Sequence, residues 1–208
     1  MQGPIPIESR ALGTLAYIRA SIESSGSMAV PGMAGCVMGV IGIAASIVAS
    51  FPRWAHLWLE IWLVAAAVAL VVGGAMMARE AAQRGHARYL GPVRKFLMCL
   101  CPALLAGAAL TFVLWRTGTT GLIPGVWLLL YGCAVLSAST VTIPRTMRLI
   151  CIMGVLFMLL GVLAFAMPTG FHTLILGVGF GGLHTIFGIL IGRVSHGRES
   201  HGGVSHGD

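Results

Sequence analysis

The residues best suited to do chemistry in this chain are Glu60 and His184, because each lies inside a long apolar run. An ionisable side chain in a bilayer costs about 2.5 to 3.5 kcal/mol on insertion scales, so its presence there suggests a function. Glu60 follows His56 by one helical turn, which places both on one face, where they could titrate protons or bind a cation. A simpler interpretation is that Glu60 lies at headgroup depth and pairs with His56, Arg53 or Arg116.

His184 lies deeper, near the middle of its run, in the glycine-rich residues 179–188. A histidine in such surroundings could ligate haem or a metal ion, or relay protons. Haem ligation between helices commonly uses a second histidine at similar depth, and the sequence has none there. We therefore expect a neutral His184 that is hydrogen-bonded across a helix interface, and no cofactor.

Three further histidines, His196, His201 and His206, stand in a Ser-His-Gly repeat near the end of the sequence. Imidazole is a good ligand for divalent transition metals, so this segment could bind such an ion weakly. Glycine in every repeat argues against a preformed site. The alternative is a flexible, solvated tail that binds nothing.

The elements that must position these residues are six apolar runs in a chain that is 57% hydrophobic and 9% charged. Each run has about 17 to 21 residues, enough to cross a bilayer as a helix, and none shows the alternation of barrel strands. We predict an all-α membrane protein, a six-transmembrane-helix bundle embedded in the lipid bilayer. The runs cover residues 33–50, 57–77, 96–115, 122–138, 149–167 and 173–191.

The positive charges predict an orientation. Only Arg53 and Arg116 fall in one set of connections, whereas the alternate set and the two terminal segments hold eleven Lys and Arg residues. By the positive-inside rule, both termini should be cytoplasmic. The net charge of +7 is spread over short segments beside the runs, so we expect no nucleic-acid partner. The eleven are Arg10, Arg19, Arg79, Arg84, Arg88, Arg94, Lys95, Arg145, Arg148, Arg193 and Arg198.

The chain divides into three parts by composition. Residues 1–28 carry apolar side chains at helical spacing, which predicts an amphipathic helix on the cytoplasmic membrane surface or against the bundle. Residues 29–193 form the six-helix domain, and residues 194–208 form the flexible His/Gly/Ser tail.

Short outer turns group the six helices into three possible hairpins. Repeats with two crossings have parallel orientation, which weakens the case for an inverted-repeat transporter. Small-xxx-small spacings within the helices predict close backbone packing, either inside one chain or between copies in a homo-oligomer. They are Gly35 with Gly39, Gly177 with Gly181, and Gly188 with Gly192.

Several segments together resemble an uncharacterised family of small bacterial six-span inner-membrane proteins. They are Leu15-Ala16-Tyr17-Ile18-Arg19, Gly91-Pro92-Val93-Arg94-Lys95-Phe96, and residues 124–132 and 179–188. The resemblance runs from about residue 12 to 193 and implies a bacterial inner-membrane location, with no activity to carry over. The last hairpin, residues 154–192, also looks like one repeat of the acid-resistance-type six-span membrane proteins.

The sequence lacks the constellations of soluble enzymes. It has no phosphate-binding glycine loop and no paired membrane carboxylates, and Asp208 is its one aspartate. We therefore expect a non-enzymatic accessory or stress-linked membrane protein. The alternative is a small proton- or metal-coupled transporter or channel that uses Glu60, His56 and His184.

Overall fold

The computed structural model describes residues 31–83 and 86–196 of the 208-residue chain. These residues are almost entirely helical and include no β-strand. The elements in chain order are α1 (Gly32–Ser50), a 3-10 helix (Pro52–Leu57), α2 (Trp58–Gln83), α3 (His86–Arg116), a 3-10 turn (Thr120–Leu122), α4 (Ile123–Ser139), α5 (Pro144–Ala166), a 3-10 turn (Thr169–Phe171), α6 (His172–Leu176), a π-helix (Gly177–Leu183) and α7 (His184–His196).

Six helical segments are long and apolar enough to cross a membrane, which confirms the predicted all-α, multi-pass bundle. We number these spans one to six, and the sixth span joins α6, the π-helix and α7 without a break. The amphipathic helix expected in residues 1–28 and most of the expected tail lie outside the described residues. The spans are Gly32–Ser50, Pro52–Glu80, Val93–Arg116, Thr120–Ser139, Pro144–Ala166 and Thr169–Val194.

Because the spans alternate in direction, their connections form two ends of the bundle. The tryptophan end contains residues 51–57, which include Trp54, and residues 117–122 and 167–171, with Trp115 beside them. The basic end contains residues 81–83, 86–92 and 140–143, with Arg79, Arg94 and Lys95 beside them.

Proline and glycine set the places where the helices end. Pro52, Pro144 and Pro168 each follow a residue in extended conformation, for example Phe51 with φ −75° and ψ 128°. The proline ring disfavours the helical conformation in the preceding residue, so a helix stops there. Gly118 has φ +71° in the turn between α3 and α4, a conformation that other residues rarely adopt.

The two closest helix pairs are built on glycine. In the pair of α4 and α5, a Cβ atom on Gly132 would lie 2.7 Å from the carbonyl oxygen of Gly154, and one on Gly161 would lie 3.0 Å from that of Gly125. Only hydrogen in place of a side chain permits backbones to approach so closely, and the large dispersion contact that results holds helices together in lipid.

Span one packs against span six in the same way. A Cβ atom on Gly188 would lie 2.6 Å from the backbone nitrogen of Cys36, and one on Gly42 would lie 2.7 Å from the carbonyl oxygen of Phe180. Of the glycines predicted to permit close packing, Gly35, Gly39, Gly177, Gly181 and Gly188 all face neighbours within the chain, whereas the Cβ position of Gly192 is open. A homo-oligomer through glycine-rich helices stays a prediction.

These pairs join different hairpins. Spans four and five are consecutive but belong to separate predicted hairpins, and spans one and six are the farthest apart in sequence. Spans five and six, which the last hairpin would pair, touch over a smaller area. The hairpins therefore describe the order of the chain, and the small residues decide which helices pack.

Spans two and three lie at the periphery. Only 6% of the residues in the apolar window of each are buried, against 28% to 44% in the other four spans. Span two rests on span one, where Gly73 faces the Met38 sulfur, and span three rests on span four. The core that positions the polar residues is therefore formed mainly by spans one, four, five and six.

Candidate functional site

His184 is the first residue after the π-helix and lies in the core of the bundle, with 3% of its surface exposed. Its Nε2 is 2.7 Å from the hydroxyl oxygen of Tyr131 on α4. The hydrogen bond across a helix interface that we expected for His184 is therefore present. Its partner did not stand out in the sequence, because a tyrosine within an apolar helix looks like one more aromatic core residue.

Aromatic rings surround this pair. The ring of Tyr131 lies 4.8 Å from that of Phe157 and 5.2 Å from that of Phe180, in edge-to-face contacts. The imidazole lies edge-on to Phe157 at 5.3 Å and stacks on Phe180 at 6.2 Å. Such contacts fix the orientation of the rings and exclude water, which strengthens the hydrogen bond that they enclose. We call Tyr131, Phe157 and Phe180, whose rings surround His184, the aromatic cage.

The second ring nitrogen of His184, Nδ1, is buried and has no hydrogen-bond partner among the described residues. A neutral imidazole has one N–H donor and one acceptor nitrogen, so the Tyr131 hydroxyl either donates to Nε2 or accepts from it. In both tautomers Nδ1 is unpaired, which is rare for a buried polar atom.

A π-helix directly precedes His184. Its wide turns, which bond residue i to residue i+5, are rare in proteins and often lie at functional sites. Four of its seven residues are glycine, whose freedom permits the unusual turn. The glycine-rich segment was visible in the sequence, but nothing in it signalled π rather than α geometry.

The aromatic cage does not suit haem. Nε2 of His184, the usual ligand atom, is already hydrogen-bonded to the Tyr131 hydroxyl, which lies where a haem iron would have to bind. A metal ion would find one nitrogen donor, since the described residues contain no group of three His, Cys, Asp or Glu side chains. The pair can exchange a proton or hold two helices together.

A second polar cluster lies nearer the tryptophan end. Nε1 of Trp58 donates to the Thr173 hydroxyl at 2.9 Å, and Nε1 of Trp127 donates to the Thr111 hydroxyl at 2.7 Å. The two indole rings stack with their centroids 6.5 Å apart. These contacts tie spans two, three, four and six together. Nothing in the sequence singled out these two tryptophans for this role, although a partly buried indole N–H usually needs an acceptor.

Glu60 and His56 lie on the surface of span two. The placement of Glu60 at headgroup depth, paired with His56, Arg53 or Arg116, stays a prediction. Both arginines lie against aromatic rings: the Arg53 guanidinium carbon is 5.2 Å from the Trp54 ring centre, and that of Arg116 is 5.9 Å from the Phe112 ring centre. Cation–π contact satisfies these charges without a carboxylate.

The structure does not bring the candidate residues into one site. Glu60 and His56 are exposed, whereas His184 is buried. Trp62 of span two contacts Phe180, and Phe180 stacks on the imidazole. Of the tail histidines, His196 is the last residue of α7, and its side chain lies outside the description. His201 and His206 also lie outside the described residues.

A shallow depression of about 410 Å³ opens at the tryptophan end. It lies between two turns, with Thr119 and Leu122 on one side and Met167 and His172 on the other. Nε2 of His172 is 3.3 Å from the Met167 carbonyl oxygen, so this histidine supports the turn. The depression is apolar for the most part, and it brings together no pair of groups for acid–base chemistry.

No family model, curated protein or solved structure matches the chain. The resemblance to six-span bacterial families stays a prediction.

Proposed function

We propose that this multi-pass protein is a non-enzymatic accessory protein of the bacterial inner membrane, linked to stress, with both termini in the cytoplasm. The single observation that best supports the proposal is the buried hydrogen bond between Tyr131 and His184. The deepest polar groups of the described core are directed at each other and enclosed by rings, so they hold helices together instead of facing a substrate.

The surroundings of the pair favour a structural role over catalysis. A general acid or base must reach the proton that it transfers, through a cavity or a channel. Here Phe157 and Phe180 occupy that space, and the depression at the tryptophan end is lined by other residues. The carboxylate that comes nearest to membrane depth, Glu60, is on the outside of the bundle.

Transport would need polar groups in sequence across the bilayer. Intramembrane ionisable residues of transporters face the bundle interior or a water-filled cavity. Glu60 is exposed and does not face the bundle interior, whereas His184 is buried in it. This arrangement supports an accessory role over the transporter alternative.

One observation still favours the transporter as second candidate. His184 follows a π-helix and keeps Nδ1 without a regular hydrogen bond, which are features of proton-transfer sites. A transporter of this kind would use His184, His56 and Glu60. It would need a conformational change that exposes His184, which is the buried one of the three.

Proteoliposomes distinguish the two candidates. Purified full-length protein is reconstituted, and proton and Zn²⁺ flux is measured with internal dyes. An accessory protein leaves flux at the level of protein-free vesicles. Flux that is present in the natural protein and abolished by Glu60→Gln or His184→Ala would overturn the proposal and support the transporter.

A cross-linking experiment tests the accessory role directly. A photoreactive residue replaces Val71, which is 71% exposed on span two, and the matched control replaces Leu128, which is fully buried. We expect a discrete protein adduct from position 71 in living cells and none from position 128. Adducts with lipid alone, at this and neighbouring exposed positions, would contradict a protein partner on this face.

A further inference from the structure

One side of α2 in span two is exposed along the length of the helix. Six residues that recur at intervals of three and four lie within about 40° of one direction, because each residue of an α-helix turns the chain by about 100°. All six are exposed, and Val64 and Val71 have 63% and 71% of their surface free. We call these residues the outer face of span two; they are Glu60, Val64, Ala67, Val71, Gly74 and Ala78.

The opposite side of α2 holds the helix on the bundle. Trp62 and Gly73 are the two buried residues of span two, and both point roughly 180° away from the outer face. The Trp62 ring lies 6.4 Å from the ring of Phe180 in span six, and the Cβ position of Gly73 is 3.5 Å from the Met38 sulfur in span one. These contacts fix the rotation of the helix, so the outer face is directed away from the bundle.

Glu60 lies at the centre of this outer face and inside span two, Pro52–Glu80. Ionisable residues in membrane spans almost always face the interior of a bundle and pair with another group, because a lone charge in lipid is costly. Glu60 faces out of its own bundle instead. A further helix packed on the outer face would place this carboxylate in the interior of a larger bundle.

We infer that the outer face of span two binds a transmembrane helix of another membrane protein, and that this helix carries Lys or Arg at the depth of Glu60. The inference rests on the proposed accessory function and gives the chemistry of the partner. Charge complementarity with Glu60 selects a basic helix. Close approach is possible along the rest of the face, since nothing lies within 4 Å of the Cβ position of Gly74, and Ala67 and Ala78 are also small.

A second copy of this chain suits the outer face less well. Copies of one chain enter the membrane in the same orientation, so a two-fold contact between outer faces would place Glu60 opposite Glu60 at one depth. Two carboxylates repel each other strongly where the dielectric constant is low. A helix with a basic residue removes this repulsion and replaces it with attraction.

The first test uses purified full-length protein in phosphatidylcholine nanodiscs, with a synthetic leucine–alanine transmembrane helix as the probe. The probe carries one Arg at the depth of Glu60, and control probes carry Gln or Glu there. By fluorescence energy transfer, we expect the Arg probe to bind about tenfold more tightly than the Gln probe. Glu60→Gln should reduce this preference to within about twofold, and Glu60→Lys should bind the Glu probe instead. A misfolded variant cannot gain binding in this way.

Two bulky substitutions test the location of the binding surface. Val71→Trp fills the outer face and should weaken binding of the Arg probe about tenfold or more. Leu105→Trp is the matched control on span three, where Leu105 is 69% exposed. Span three is as little buried as span two but has no charged side chain between Lys95 and Arg116, so this variant should bind within about twofold of the natural protein.

Equal binding of the Arg and Gln probes would overturn the inference, as expected if Glu60 pairs with a group of its own chain. Equal effects of the two tryptophan substitutions would overturn the assignment to the outer face.

The second test is made in living cells with the photoreactive residue at position 71. We expect an adduct with a membrane helix that contains Lys or Arg, and we expect this adduct to disappear in Glu60→Gln. A protein adduct that persists in Glu60→Gln would overturn the charge pairing but leave the accessory function standing. Adducts with lipid alone would remove both, and an adduct with a second copy of the chain would assign the outer face to a homo-oligomer and overturn the inference.

Discussion

The hydroxyl of Tyr131 lies 2.7 Å from Nε2 of His184, and this bond connects α4 to the sixth span at the point where its π-helix ends. The bond is made between two side chains that apolar neighbours enclose, so each depends on the other. A buried hydrogen-bonding group that loses its partner costs more free energy than the bond itself contributes.

Tyr131→Phe should therefore lower the free energy of unfolding by about 1 to 3 kcal/mol, because it leaves Nε2 of His184 buried and unpaired. The measurement is thermal or denaturant unfolding in detergent, followed by tryptophan fluorescence. The double variant with Tyr131→Phe and His184→Leu removes both partners and should recover part of the loss. A single variant as stable as the natural protein would show that the bond does not hold the core.

Gly188→Ala should separate span one from span six. Its new Cβ would lie 2.6 Å from the Cys36 nitrogen, and a backbone atom cannot move aside as a flexible side chain can. We expect a loss of about 1 to 3 kcal/mol from overpacking. Gly74→Ala is the control, because nothing lies within 4 Å of its Cβ position. This change should be neutral or slightly stabilising, since alanine favours the helix. Equal effects of the two substitutions would contradict the observed packing.

Trp58→Phe should destabilise the bundle because it removes the donor to Thr173 and weakens the stack on Trp127. The expected loss is about 1 kcal/mol, typical of one hydrogen bond with its ring contact. Trp54→Phe is the matched control, because that indole is partly exposed and lies under Arg53. Unfolding midpoints of the two variants make the comparison. No difference between them would mean that the cluster at the tryptophan end contributes little.

The proposed orientation follows from the distribution of Lys and Arg. A fluorescent protein fused after residue 193 should be fluorescent in cells, and an alkaline phosphatase fused there should be inactive. Fusion within residues 117–121 should give the reverse pair of results. Phosphatase activity at the first position would place the basic end outside and contradict the positive-inside interpretation.

Weak metal binding by the tail can be measured separately. Calorimetric titration of the full chain with Zn²⁺ should show binding in the range of about 10 to 100 μM that is lost when His196, His201 and His206 are all replaced by alanine. His184→Ala should leave the titration unchanged, since that imidazole is enclosed by the aromatic cage. Loss of binding in His184→Ala alone would place a metal ion in the core.

Much of the architecture could be predicted because bilayer thickness dictates the length of a span. The six runs and the turns at Pro52 and Pro168 follow from that length and from the conformational limits of proline. The pairing of the spans could not be predicted. Lipid tails and the protein interior are equally apolar, so hydrophobic periodicity does not show which face of a helix is buried.

The candidate functional site also could be predicted only in part. His184 stood out as an ionisable residue at mid-membrane depth, but Tyr131 did not, because its apolar ring suits any transmembrane helix. Glu60 stood out equally and lies on the surface. Sequence position gives the depth of a side chain in the bilayer, whereas its direction around the helix depends on contacts between spans that are remote in sequence.

The π-helix of the sixth span has a consequence for the angular phase of that helix. An extra residue taken up by a wide turn rotates everything before it by about 100° relative to everything after it. Thr173, before the wide turns, reaches Trp58, and His184, after them, reaches Tyr131. In a strictly α-helical span these two residues, eleven positions apart, would lie about three turns from each other on nearly the same face. The wide turns separate their directions, and the two side chains reach different spans. The glycine-rich π-helix, Gly177–Leu183, therefore changes the direction in which the later side chains point. One helix can thus contact different neighbours at two depths.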